Sequence, residues 1–155
     1  MKILLIRHGD PDYEHDTLTE QGWVEAELLA RRLRSAAIDD FYLSPLGRAQ
    51  DTAGVTLKAL GRTGETLPWL REFRGGIDEP YTGKRRCPWN LMPQYWTAQE
   101  KLLHPTQWRE DGILRTGDVA EVYDETAVGV DELLARYGLI RQGNLYTGEN
   151  NHKII

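Results

Sequence analysis

Met1-Lys-Ile-Leu-Leu-Ile-Arg-His-Gly9 drives four consecutive apolar residues into an abrupt Arg-His-Gly. An apolar run of this length, Ile3 to Ile6, fits a strand covered on both faces, as in the parallel sheets of α/β proteins. Ligands of such sheets gather just beyond the carboxyl ends of the strands, where Arg7 and His8 fall. Gly9 permits a sharp turn and a close backbone approach to a bound group. The triplet alone is also compatible with a strand that ends this way by chance.

A second stretch, Tyr42-Leu-Ser-Pro-Leu-Gly-Arg-Ala-Gln-Asp-Thr-Ala53, bears on the same question. Phe41-Tyr42-Leu43 reads as a short strand. Ser44 suits a helix N-cap and Pro45 the first helical position. Leu46, Ala49, Ala53, Leu57 and Leu60 then recur at helical spacing on one side. Arg48 falls in the first turn, where a cation opposes the positive end of the helix dipole at a cost of roughly 0.3–1 kcal/mol. An anion bound at the same spot would reverse that penalty, since a helix N-terminus and a guanidinium together make a phosphate site. The bland alternative is a solvated arginine on an exposed turn.

Leu5-Ile-Arg-His-Gly9, Leu18-Thr-Glu-Gln-Gly22, Ser44-Pro-Leu-Gly-Arg48 with Ala49 and Thr52-Ala53, and Leu70-Arg-Glu-Phe73 with Gly75 and Gly76 resemble the motifs of the histidine phosphatase superfamily, in its phosphoglycerate mutase-like branch. All four stand in the family's order and cover about the first half of the chain. The resemblance implies a three-layer α/β/α fold around a mainly parallel sheet, as one domain over residues 1–155. It also implies a metal-independent phosphatase without a cofactor, acting on a small phosphorylated substrate.

Composition agrees with this class. The 155 residues suffice for one cored domain, and the formal net charge of −5 disfavours general nucleic-acid binding. A single cysteine, Cys87, suits a reducing, cytoplasmic setting. No apolar stretch approaches membrane-spanning length, so no membrane partner is expected.

Turn chemistry sets the remaining organisation. Asp10 to Asp16 reads as a polar loop. Thr19 is the expected N-cap of a helix to about Ala37, with Ala26, Leu29, Ala30, Leu33 and Ala37 on one face. Leu67-Pro-Trp-Leu70 reads as a third strand near an edge, because Pro68 lacks an N–H. Residues 74–117 read as an insertion or lid, with a helix from Pro93 to Leu103. Most of its tryptophans are expected to build a small satellite core. Asp118 with Glu121 resembles a capping pair opening a helix that Gly138 stops. Gly143, Asn144, Gly148 and Asn150 read as loops.

A phosphomonoester site must neutralise the equatorial oxygens, present a nucleophile in line, and protonate the leaving oxygen. Arg7 and Arg48 supply forked donors, so Arg7, His8 and Arg48 form the expected phosphate-binding set. Neutral His8 attacks phosphorus through one ring nitrogen if the other donates to a backbone carbonyl. These are the roles that the resemblance assigns, with a phosphohistidine as intermediate. It also assigns Glu72 the part of proton donor and later base; pairing with Arg71 or Arg74 is its structural alternative.

Two departures from the family pattern matter. The family adds a second histidine at the end of a later strand. His152 precedes the apolar run Lys153-Ile154-Ile155, and His15 and His104 lack a strand-end setting. The C-terminal part of the sheet is therefore expected to be missing, with weak or no activity in the 155-residue chain and with self-association through exposed sheet edges, or a homodimer, as the expected assembly. Secondly, Asp10 and Asp12 would repel a carboxylate-bearing ligand unless a cation such as Lys84, Arg85 or Arg86 intervenes. This favours a hydrolase over a phosphoglycerate mutase-type phosphotransferase. A non-catalytic phosphate-binding module is the third reading.

Overall fold

The computed structural model describes residues 1–150 and 152–155, which fall into two compact units, residues 1–71 with 131–155 and residues 72–130. In chain order the elements are β1 (Lys2–Ile3), β2 (Pro11–Asp12), β3 (Thr17–Leu18), α1 (Glu20–Leu33), β4 (Tyr42–Leu43), α2 (Gly47–Leu60), β5 (Glu65–Thr66), β6 (Ile77–Asp78), β7 (Arg85–Arg86), α3 (Pro93–Thr97), α4 (Val119–Ala135), β8 (Ile140–Gln142), β9 (Leu145–Thr147) and β10 (Lys153–Ile154), with short 3-10 turns between.

In the first unit the pairings β1–β10 and β4–β5 are parallel, as the strand–helix alternation requires. Asp40 bridges Ile154, and Tyr42 N donates to Ile155 O at 2.7 Å. This aligns the strands as β1, β10, β4, β5. α1 packs on α2. One apolar cluster joins Leu33, Ile38, Phe41 and Leu43, with Ala53 and Leu57 against it; another joins Leu67, Leu133 and Ile154.

The ladders are two or three residues long, so the mixed α/β architecture is fragmented where a three-layer sandwich with a continuous sheet was expected. The strand over Ile3–Ile6 is one correction: its ladder stops at Ile3, and Leu5 is 92% exposed. A cavity of about 500 Å³ lies beside this segment, so apolar side chains that suited a two-sided strand are left uncovered. At residues 67–70 the strand is Glu65–Thr66, and Pro68 opens a 3-10 turn. A fixed φ and a missing N–H serve a first helical position better than a ladder. α1 ends at Leu33, and Ile38, not exposed Ala37, completes its apolar cluster. Thr19 does cap α1, accepting from Gly22 N at 3.1 Å. Gly138 has φ 75° and its N–H reaches Ala135 O, which ends the last helix as expected. Residues 140–147 form a hairpin over Gly143-Asn144, where only loop was read.

The second unit has its own core of Ile77, Leu91, Leu114 and Val119, with Phe73, Tyr95, Trp96 and Trp108 packed on it. That is the satellite core, although Trp89 stays 52% exposed. The helix expected over 93–103 breaks into α3 and a 3-10 turn at Glu100–Leu103, because Gln99 is extended (φ −126°). Buried Asp111 anchors this unit, accepting from Tyr95 Oη at 2.5 Å and from the amides of Ile113 and Leu114. Asp118 accepts from Gly76 N at 2.8 Å and pairs with Arg85, tying the hairpin β6–β7 to the start of α4.

Candidate active site

The site begins at the corner that follows β1. His8 Nδ1 lies 2.8 Å from Gly9 O. A carbonyl only accepts, so this contact puts a proton on Nδ1; in the neutral ring Nε2 then carries the lone pair. Gly9 N donates to Thr52 Oγ1 at 3.0 Å, and Thr52 Oγ1 donates to Arg48 O at 2.8 Å. The first bond ties the histidine corner to α2, and the second holds the accepting hydroxyl against the helix backbone. Gly9 is needed for packing: a Cβ there would meet Gly22 O at 2.7 Å. The chain also bends at Gly9 as expected, without a positive φ.

Arg48 lies on the buried side of α2, at 7% exposure. The buried stripe is Arg48, Thr52 and Thr56, one residue round from the apolar stripe read from the sequence. Helix α2 starts at Gly47, not Pro45, and Ser44 does not cap it. The cap comes from the 13–16 turn: Asp16 Oδ2 accepts from Gly47 N at 2.7 Å, and Asp16 Oδ1 from Arg48 Nη1 at 2.7 Å. The Gly47 amide first, and the guanidinium next, hold the Asp16 carboxyl below the usual carboxylate range. The Tyr13 ring stacks on the same guanidinium, 5.3 Å from Cζ.

Asp16 was read only as part of a polar loop, and Thr52 only as part of a motif. The one hint in the sequence was Arg48 itself, a cation at the wrong end of a helix. That frustration demanded an anion, and the fold supplies one from 32 residues away.

Arg7 and His8 line the cavity together with Ser44 and Thr52 and with apolar side chains such as Ile6 and Leu43. Arg7 is exposed and His8 half-buried. Glu72 is the first residue of the second unit and stands exposed in irregular chain. The loop carboxylates are engaged: Asp10 Oδ2 accepts from Thr19 Oγ1 at 2.7 Å, and Asp12 Oδ2 contacts His15 Nδ1 at 2.8 Å. Arg85 and Arg86, considered as cations for a ligand, pair with Asp118 and Glu79 in their own unit. Among the described residues no cluster of three His, Cys, Asp or Glu side chains could hold a metal ion, and no helix is long and apolar enough to cross a membrane.

Comparison with known proteins adds the lineage. "Probable phosphoglycerate mutase GpmB" of Yersinia pestis (strain Pestoides F) is 35% identical over 88 residues, 51% of this chain and 41% of the relative. The Yersinia pseudotuberculosis protein of the same name (serotype O:1b, strain IP 31758) matches equally. The chain thus spans about two fifths of the length of these curated relatives. Among solved structures, the alpha-ribazole phosphatase from Shigella flexneri superposes with a TM-score of 0.51 at 23% identity, covering 99% of this chain and 72% of that one. A candidate alpha-ribazole-5'-P phosphatase from Escherichia coli K-12 gives 0.53 at 22%, covering 99% and 71%. These likenesses establish the fold. The sequence profile of the histidine phosphatase superfamily (branch 1) matches residues 3–137, so the chain belongs to that superfamily.

Proposed function

We propose that the protein is a phosphomonoester hydrolase that works through a phosphohistidine on His8 and acts on a small phosphorylated metabolite. The observation that carries this reading is the bond from His8 Nδ1 to Gly9 O at 2.8 Å, at a corner tied to the turn of Arg48 through Thr52. It frees Nε2 to form the P–N bond while the P–O bond to the alcohol breaks. Arg7 and Arg48 neutralise the phosphoryl oxygens, and Glu72 protonates the leaving oxygen. Water then cleaves the P–N bond and releases inorganic phosphate. No step calls on a metal or a cofactor. The 74–117 segment is assigned to substrate choice.

The experiment is a panel of small phosphomonoesters with trapping of acid-labile phosphate on the protein. The reading requires label on His8 that is lost in His8→Gln, together with phosphate release. The names of the curated relatives favour a second reading, a phosphoglycerate mutase-type phosphotransferase; phosphoglycerate equilibration faster than phosphate release would select it. Phosphate affinity with no label and no turnover would leave a binding module.

A further inference from the structure

Arg48 and the Gly47 amide are the two donors at the start of α2 that face one shared anion, and the protein already provides that anion. Each Asp16 carboxylate oxygen takes one donor, both at 2.7 Å. A phosphoryl group bridging the same two donors would use two of its oxygens in the same way. The backbone beneath the carboxylate is fixed: a Cβ on Gly47 would fall 2.0 Å from Asp16 O, and Thr17 Oγ1 donates to Asp51 on α2. Asp16 itself sits in the left-handed region at φ 49°, which Asp tolerates better than most residues. The carboxylate is less confined, since its side chain is 43% exposed against 9% for Arg48. It can rotate into water about its own χ angles without moving the loop.

We infer that Asp16 is an affinity-setting residue of the proposed phosphate site, a tethered carboxylate that competes with the substrate phosphoryl group for Gly47 N–H and Arg48. This rests on the phosphatase reading above. A tethered competitor weakens every free anion by the same factor, because the incoming group must first displace it. The carboxylate thus keeps the buried guanidinium neutralised and oriented when the site is empty.

The test titrates inorganic phosphate into the wild-type chain, Asp16→Asn, Asp16→Ser and Arg48→Gln, by calorimetry and by thermal unfolding with and without phosphate. Asn and Ser remove the charge, and both keep a short acceptor for the Gly47 amide. The expected result is phosphate binding roughly five- to tenfold tighter in both Asp16 variants, with a larger rise in Tm on adding phosphate, and binding lost in Arg48→Gln. A purely structural Asp16 gives no tightening. Equal or weaker binding in both Asp16 variants, with wild-type binding still dependent on Arg48, overturns the competition and leaves the phosphatase reading standing. Phosphate binding absent from the wild type and both Asp16 variants, or indifferent to Arg48→Gln, overturns both.

Discussion

Gly9 N lies 3.0 Å from Thr52 Oγ1, and through that hydroxyl the histidine corner is bonded to the backbone of Arg48, one helical turn away. Thr52 is 4% exposed, so water cannot easily replace its hydroxyl.

Thr52→Val keeps the shape and removes the acceptor, leaving the Gly9 amide without its partner. We expect a loss of about 1–3 kcal/mol in denaturant unfolding, and faster hydrogen exchange at Gly9. Thr52→Ser should restore both. A Val variant as stable as wild type would show that the corner does not depend on this bond.

Two glycines in regular helix should respond in opposite directions. Gly22 lies in α1, where a Cβ would meet Asp10 O at 2.2 Å, and Gly54 lies in α2 with nothing within 4 Å. Ala is the better helix former at both. At Gly54 that preference stands alone and Gly54→Ala gains about 0.5–1 kcal/mol. At Gly22 backbone overlap wins, and Gly22→Ala loses about 2 kcal/mol or more. Calorimetric melting of the two variants checks the sign.

The same pair marks what the sequence could disclose. Local chemistry was legible: Thr19 as a cap, parallel pairing around the core, Gly138 as a stop, and the imidazole bonded to a carbonyl. Apart from the parallel pairing, which joins Lys2 to Lys153 and Tyr42 to Glu65, each depends on neighbours a few residues apart. The hairpin over Gly143-Asn144 was missed although its signal was present, two turn residues between Ile140-Arg-Gln and Leu145-Tyr-Thr. What could not be read depends on distant segments. Asp16 reaches Arg48 only because Gly47 lets its backbone close in, and Gly9 is glycine because of Gly22. The Ile3–Ile6 run misled for the same reason, as apolar residues specify cover without specifying which neighbour supplies it.

Asp111 should make stability fall in acid. Burial pushes its carboxyl up, but hydrogen bonds from Tyr95 Oη and the Leu114 and Ile113 amides outweigh it, so the folded-state pKa is lowered. A lowered folded value means the contribution is complete above the unfolded pKa of about 3.9 and is lost as pH falls through the folded value. Stability should therefore decline below about pH 4. Asp111→Asn should cost about 1–3 kcal/mol at pH 7 and flatten that decline. Parallel urea titrations across pH 2.5–7 in both proteins would test this, and an unchanged acid limb in the variant would rule Asp111 out as its source.

Apolar exposure beside β1 leads to a prediction about association. Leu5 is 92% exposed, Ile3 49% and Ile6 39%, within one short segment whose ladder ends at Ile3. Scattered apolar side chains are ordinary on a surface, but a contiguous run on an extended segment offers both an apolar face and open backbone groups. Burying a Leu side chain contributes roughly 1.5–3 kcal/mol, enough to drive pairing at micromolar concentration when several act together. The chain should therefore self-associate as concentration rises, seen by sedimentation velocity. Leu5→Lys should shift it towards monomer without lowering Tm, because a side chain so exposed contributes little to the fold. A wild-type chain that stays monomeric at hundreds of micromolar, or a Lys variant that associates as strongly, would locate the contact elsewhere or remove it.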